Sequence, residues 1–150
     1  MSTHSLYGRE LGISTATSHL VSRGLDITRP CVDASITVGA EVENVRPIAI
    51  QLKDARGADI NYIEVVEVLV VHGTNGLAAA ATGGSTGIAA STDGAILATL
   101  EAKKAFLVSS EADGDIDLTW TDTGTESVKL AVRLPSGRIV LSDAFANAGE

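Results

Sequence analysis

The sequence predicts an all-β fold built from antiparallel strands, and three observations carry that reading. Between Phe106 and Phe145, Ile116, Leu118 and Trp120 alternate with Asp115, Asp117, Thr119 and Thr121, and Val128, Leu130, Val132 and Leu134 alternate with Ser127, Lys129, Ala131 and Arg133. A period of two sets one row of side chains on a core and the other in water, the mark of an antiparallel sheet with one solvated face. Turn residues punctuate the runs: Asp122-Thr123-Gly124-Thr125 after the first, and Pro135-Ser136-Gly137 before Arg138-Ile139-Val140-Leu141. Each reads as a tight hairpin. Such segments recur about every 10 to 15 residues with no helix of ordinary length between them, the pattern of a β-sandwich or a small barrel.

Residues 1–30 sustain neither the strand nor the helix period. They hold Leu6, Tyr7, Leu11, Ile13, Leu20, Val21, Leu25 and Ile27 among Ser, Thr and Gly, and end at Arg29-Pro30. Arg9, Arg23 and Arg29 stand against Glu10 and Asp26, a net of +1, whereas residues 31–150 hold eight basic and seventeen acidic residues, a net of −9. A frayed terminus fits this segment. An extended arm that becomes ordered on a neighbouring subunit also fits, and it gives the apolar residues a purpose.

The strand pattern begins at Cys31. Ala34–Val38 is a short candidate strand, Gly39–Asn44 a polar break, and Ile48, Ile50 and Leu52 then alternate with Ala49, Gln51 and Lys53. Pro47 stands at the start of that strand, where a missing N–H is tolerated. Asp54–Asp59 has the composition of a turn linking hairpin strands. Tyr62–His72 is the longest apolar-rich run, and its β-branched residues favour a strand. Its alternation slips at Val65-Val66, which predicts a bulge or a strand buried on both faces near its end.

Gly73–Gly94 is rich in Gly and Ala and reads as a flexible exposed loop with a short strand near Gly87–Ser91. Ala95–Leu100 resumes strand character, Glu101–Lys104 turns, Phe106–Ser110 is a further strand, and Glu111–Gly114 turns into the run already described. The expected plan is an N-terminal arm over 1–30, a β-sandwich over 31–146 and a C-terminal tail over 147–150.

Composition narrows the function classes. A chain of 150 residues suits one core and buries roughly two thirds of its unfolded surface. The net charge of −8 argues against a phosphate-backbone partner, so no nucleic acid is expected. Tyr7, Tyr62, Phe106, Trp120 and Phe145 are the whole aromatic complement, so the core is aliphatic and a stacking platform for bases or sugars is missing. The single cysteine, Cys31, excludes an internal disulfide and is compatible with assembly in a reducing cytosol. Neither a secretory signal nor an apolar window long enough to cross a bilayer is present, so no membrane partner is expected.

Four groupings invite a chemical reading. Gly83-Gly84-Ser85-Thr86-Gly87 matches G-x-S-x-G, but that motif means a nucleophile elbow only between a strand and a helix. Glu111, Asp113, Asp115 and Asp117 have the spacing of calcium ligands, yet Ile116 stands where an EF-hand loop needs glycine, and a solvated acidic strand is the better reading. His4, His19 and His72 are far apart, and Cys31 has no second cysteine, so it reads as a small buried hydrophobe. No catalytic, cofactor-binding or metal-binding residue is assigned, and the chain is expected not to be an enzyme.

Ile116–Trp120 after Glu111-Ala-Asp-Gly-Asp, the run Leu130-Ala-Val-Arg-Leu-Pro-Ser-Gly-Arg-Ile-Val, and Gln51-Leu-Lys-Asp-Ala-Arg-Gly-Ala resemble small virion structural proteins of tailed bacteriophages over about residues 34–146. The resemblance implies a single immunoglobulin-like β-sandwich of the capsid decoration or cement type. It implies a place on the capsid surface of the virion, assembly in the host cytoplasm, and two partners: the major capsid protein and neighbouring copies of the chain. Contacts would fall on the arm, at Leu6, Tyr7, Arg9, Leu11, Ile13, Leu20, Val21, Arg23, Leu25, Ile27 and Arg29, and on exposed sheet edges able to accept a strand. The alternative is an adhesin-like sandwich at a tail or fibre, binding a host glycan through the Gly73–Gly94 loop with Tyr7 or Tyr62. A serine hydrolase would rest on Ser85 alone.

Overall fold

The alternating runs form nine strands in the computed structural model, which describes residues 29–150. They are β1 (Asp33–Val38), β2 (Val45–Lys53), β3 (Val65–His72), β4 (Gly87–Ala90), β5 (Ala95–Glu101), β6 (Ala105–Ser109), β7 (Asp115–Thr121), β8 (Val128–Arg133) and β9 (Ile139–Leu141). A four-stranded sheet has the order β1-β2-β7-β4, and a five-stranded sheet the order β5-β6-β3-β8-β9. Every pairing is antiparallel and no helix occurs among the described residues. The fold is the expected immunoglobulin-like β-sandwich.

The alternation decides what lies between the sheets. From the four-stranded sheet come Ile48, Ile50 and Leu52 of β2 with Ile116, Leu118 and Trp120 of β7; from the five-stranded sheet come Val66, Val68 and Val70 of β3, Phe106 and Val108 of β6, and Val128, Leu130 and Val132 of β8. Register aligns them, with Ile50 opposite Ile116, Ile48 opposite Leu118, and Val68 between Phe106 and Val132. Each such side chain contributes about 1.5–3 kcal/mol when taken fully out of water.

Trp120 is the largest fully buried side chain. Its indole Nε1 donates to the Gly83 carbonyl at 3.0 Å, and its ring meets Phe145 edge to face at 5.2 Å between centroids. One residue of β7 thereby fastens the Gly-rich connection and the C-terminal segment to the core. Gly84 has φ +99°, and a Cβ there would fall 2.8 Å from Nε1, so the backbone approaches the indole closely only because the side chain is absent.

Several local expectations are corrected. Asp122–Thr125 does not close a hairpin but carries the chain from β7 to β8, in the other sheet; Asp54–Asp59 does turn the chain back on β2, with Asp59 bridging Lys53 and the Ile60 amide donating to the Leu52 carbonyl at 3.1 Å, but the next strand, β3, lies in the other sheet. Turn chemistry is the same whether the next strand pairs or crosses, so composition does not separate the cases. In the second turn the Asp54 carboxylate accepts the Arg56 and Ala58 amides at 2.9 and 3.1 Å. Pro135–Gly137 does close a hairpin, between β8 and β9.

Pro47 is the third residue of β2 and not its first. It lies opposite Gly39, one residue beyond the end of β1, and its carbonyl takes the Gly39 amide at 2.8 Å, so its missing N–H falls where the ladder has already stopped. The slip at Val65-Val66 is no bulge; Val65 is the exposed first residue of β3, and both Val70 and Val71 are buried near its end. The bulges lie in β5, between Ile96 and Ala98 and between Thr99 and Glu101. Ala131 is buried against the alternation because it sits between Leu69 and Leu141 on the outer face, and a methyl group is small enough to be covered there.

The stretch expected to be a flexible exposed loop is tied down. Ala79 pairs with Val71, the Ala80 amide donates to the Val70 carbonyl at 3.2 Å, and Ala80 is buried. The short strand expected within it is β4, paired to β7. Residues 147–150 are held as well: Asn147 is buried, its Nδ2 donates to the carbonyls of Asn44 and Asp122 at 2.7 and 2.8 Å, and its Oδ1 accepts Arg46 Nε at 3.0 Å.

Trp120→Ala is expected to destabilise the fold by about 3–5 kcal/mol through loss of transfer energy and the cavity left behind. Urea unfolding should show the midpoint falling with its slope unchanged; a shift below about 1 kcal/mol would contradict the role given to the indole.

Candidate functional site

Ser85 is not on a strand-to-helix elbow. It lies in the connection leading to β4; its amide donates to Asp122 Oδ1 at 3.0 Å, its hydroxyl accepts the Thr123 amide at 3.0 Å, and its carbonyl takes Lys103 Nζ at 2.7 Å. These bonds fasten this connection to those after β5 and β7, and of the glycines around Ser85, Gly84 makes room for the Trp120 indole while Gly83 and Gly87 make room for Lys103. Asp122 is buried, and its second carboxylate oxygen has no hydrogen-bond partner among the described residues.

Glu126 secures the same connection. Its carboxylate accepts the amides of Thr82 and Gly83 and the Thr82 hydroxyl. Partial burial pushes this carboxyl up, but the hydrogen bonds from Thr82 and Gly83 outweigh burial and leave it below its ordinary value of 4.5. His72 is used in a comparable way: its Nδ1 accepts the amides of Thr74 and Asn75 at 3.1 and 3.2 Å, closing the turn after β3.

Asp115 and Asp117 alternate outward on β7, half-buried on the outer face of the four-stranded sheet. Burial and then the charges of Asp117 and Asp93 push the Asp115 carboxyl up. Among the described residues, no three His, Cys, Asp or Glu side chains are grouped so as to hold a metal ion. Cys31 is the buried small hydrophobe the sequence suggested, its thiol pushed up to about 11 by burial and by the Glu64 carboxylate.

Of the eleven arm residues, Arg29 alone is described, and it is half-buried. Leu6, Tyr7, Arg9, Leu11, Ile13, Leu20, Val21, Arg23, Leu25 and Ile27 lie outside the described residues, as do His4 and His19. Tyr62, named as an exposed aromatic for a glycan, is 8 % exposed and packs in the core cluster, so that role is corrected.

The strands themselves carry the feature that sequence reasoning missed. Val65, Leu97, Leu100 and Leu141 are 41, 57, 54 and 43 % exposed, and all four belong to the five-stranded sheet. The four-stranded sheet has no exposed large hydrophobic residue on its strands. Its outer rows hold Ser35, Gln51 and Asp115, then Thr37, Ala49 and Asp117. Those of the other sheet hold Ala98, Leu107, Glu67, Arg133 and Ile139, then Glu101, Ala105, Leu69, Ala131 and Leu141. A signal was present in Ala95–Leu100, where Ile96, Leu97 and Leu100 do not fit a single period of two.

No protein-family model matches the chain, and no curated protein matches it. Among solved structures, two crystal structures of the human F-spondin reeler domain align at 9 and 11 % identity with TM-scores of 0.42 and 0.40, covering 81 and 83 % of this chain and 92 and 97 % of theirs. A cohesin module from a Clostridium perfringens family 33 glycoside hydrolase aligns at 10 % identity with a TM-score of 0.37, covering 79 % of this chain and 94 % of its own.

Two outcomes are expected. The folded carboxyl of Glu126 is lowered, so its contribution to stability is complete above about pH 4.5 and is lost as the pH falls through its folded value. Because Glu126 is partly solvated, Glu126→Ala should cost about 1 kcal/mol at neutral pH and flatten the acid limb of stability against pH; an unchanged acid limb would contradict the assignment. Cys31 should react with a thiol reagent at mildly alkaline pH only as fast as the sandwich unfolds, whereas immediate labelling of folded protein would contradict its burial.

Proposed function

We propose that this protein is a non-enzymatic structural protein that binds the outside of a phage capsid and stabilises contacts between neighbouring major capsid subunits, as a cement or decoration protein carried on the virion and assembled in the host cytoplasm. The observation that supports it most is the division of charge at Pro30. A segment of net +1 dotted with apolar residues precedes a sandwich of net −9, whose first strand begins at Asp33.

A thirty-residue segment reaches at most roughly 100 Å when extended, enough to cross from one subunit of a shell to the next. Segments that become ordered on binding wrap large surfaces for little folded mass. The sandwich suits the role of a fixed base, since Trp120, Glu126 and Asn147 tie its long connection and its C-terminal end to the strands. The tail or fibre adhesin reading draws less support, because Tyr62 is buried and the Gly73–Gly94 connection is pinned through Ala80 and Thr82.

Co-sedimentation with purified phage heads tests the proposal. The full chain should pellet with heads and raise their melting temperature, and a chain lacking residues 1–28, with an unchanged circular dichroism spectrum, should do neither. Heads that bind neither form, while fibres or a glycan array do, would overturn the capsid reading; equal binding by the shortened chain would overturn the role of the arm.

A further inference from the structure

We infer that the outer face of the five-stranded sheet is a contact surface between two copies of this chain. The inference does not rest on the capsid reading, since it concerns the protein alone in solution.

Charge singles out this face. Glu67, Glu101, Lys129 and Arg133 balance on it, and Arg133 lies 3.8 Å from Glu67. The outer face of the four-stranded sheet instead carries Asp33, Asp115 and Asp117 against Lys53. Two copies of a chain of net charge −8 repel each other unless they meet through a neutral surface with their acidic faces turned away. A pair joined through the five-stranded sheets meets that condition.

Shape and size agree with charge. A groove of about 220 Å³ runs over this face, lined by Val65, Glu67, Leu107, Arg133, Pro135 and Gly137. On β5 of the same sheet, the bulges leave Leu97 and Leu100 with no partner on β6, both more than half exposed. A twofold contact needs one surface to supply both features. Strands β3, β5, β6, β8 and β9 hold 8, 7, 5, 6 and 3 residues, and at about 4.8 Å between strands and about 3.4 Å per residue they give a face of roughly 470 Å² before side-chain relief is counted, more than half of the ~800 Å² per partner found in specific interfaces. The same bulges disrupt the free edge of β5 as a template for another strand, so the face, and not extension of the sheet, is the route by which the leucines become covered.

Sedimentation velocity of the full chain from micromolar to a few hundred micromolar tests this. The wild type should reach the mass of a dimer, and so should Ala89→Asp, which alters the opposite face. Leu97→Asp with Leu100→Asp should raise the dissociation constant at least about tenfold. These side chains are exposed in a single copy, so the fold should survive; if it does not, Leu141→Asp at the other edge of the same sheet gives the same reading. A wild type that stays monomeric over the range, a dimer that persists in the five-stranded-sheet variants, or dissociation by Ala89→Asp to the same degree would each overturn the inference.

Discussion

The structure depends on one constraint: two sheets meet only through side chains that alternate inward, and at one end of the sandwich a single indole closes the space between them. Trp120 is buried, bonded through Nε1 to Gly83 and stacked edge to face on Phe145. The Gly-rich connection and the C-terminal segment have few other apolar groups with which to hold their places. Backbone of that composition is ordered at high entropic cost, which the hydrogen bonds to Trp120 and Glu126 offset.

Buried polar groups do the same work at the strand ends. Ser110 Oγ accepts the Glu64 amide and donates to the Glu111 carbonyl, and Ser142 Oγ accepts the Leu130 amide and donates to the Asp143 carbonyl. Each hydroxyl replaces a ladder bond where the strand has ended, so the backbone leaves the sheet with its donors satisfied. A body braced in this way has little freedom in its connections. Its two outer faces differ instead in character, one acidic and one charge-balanced with exposed apolar residues, and the contact inferred between two copies draws on that contrast.

Most of the fold was legible in the sequence because a period of two is a direct imprint of a half-buried strand. β2 and β7 follow their alternation, β8 departs from it only at Ala131, and the β-branched run within Tyr62–His72 declared the strand that is β3. Which strands pair was not legible. Asp122–Thr125 and Asp54–Asp59 have turn composition whether the chain returns beside the previous strand or crosses to the other sheet, and that choice is made by the core on both sides of the turn. The bulges of β5 were missed for a related reason, since a bulge shows in a short run only as imperfect alternation. Of the arm residues singled out by charge and lack of period, all but Arg29 lie outside the described residues. The apolar face was not legible, because it assembles single residues from five strands that no local window brings together.

The central claim is that this sandwich and its N-terminal segment act on the outside of a capsid. Cryo-electron microscopy of the particles with which the protein copurifies tests it most directly. The account predicts ordered copies of the sandwich on the shell, with residues 1–30 traced across neighbouring capsid subunits. Density confined to the tail or fibres, with a bare shell, would contradict it.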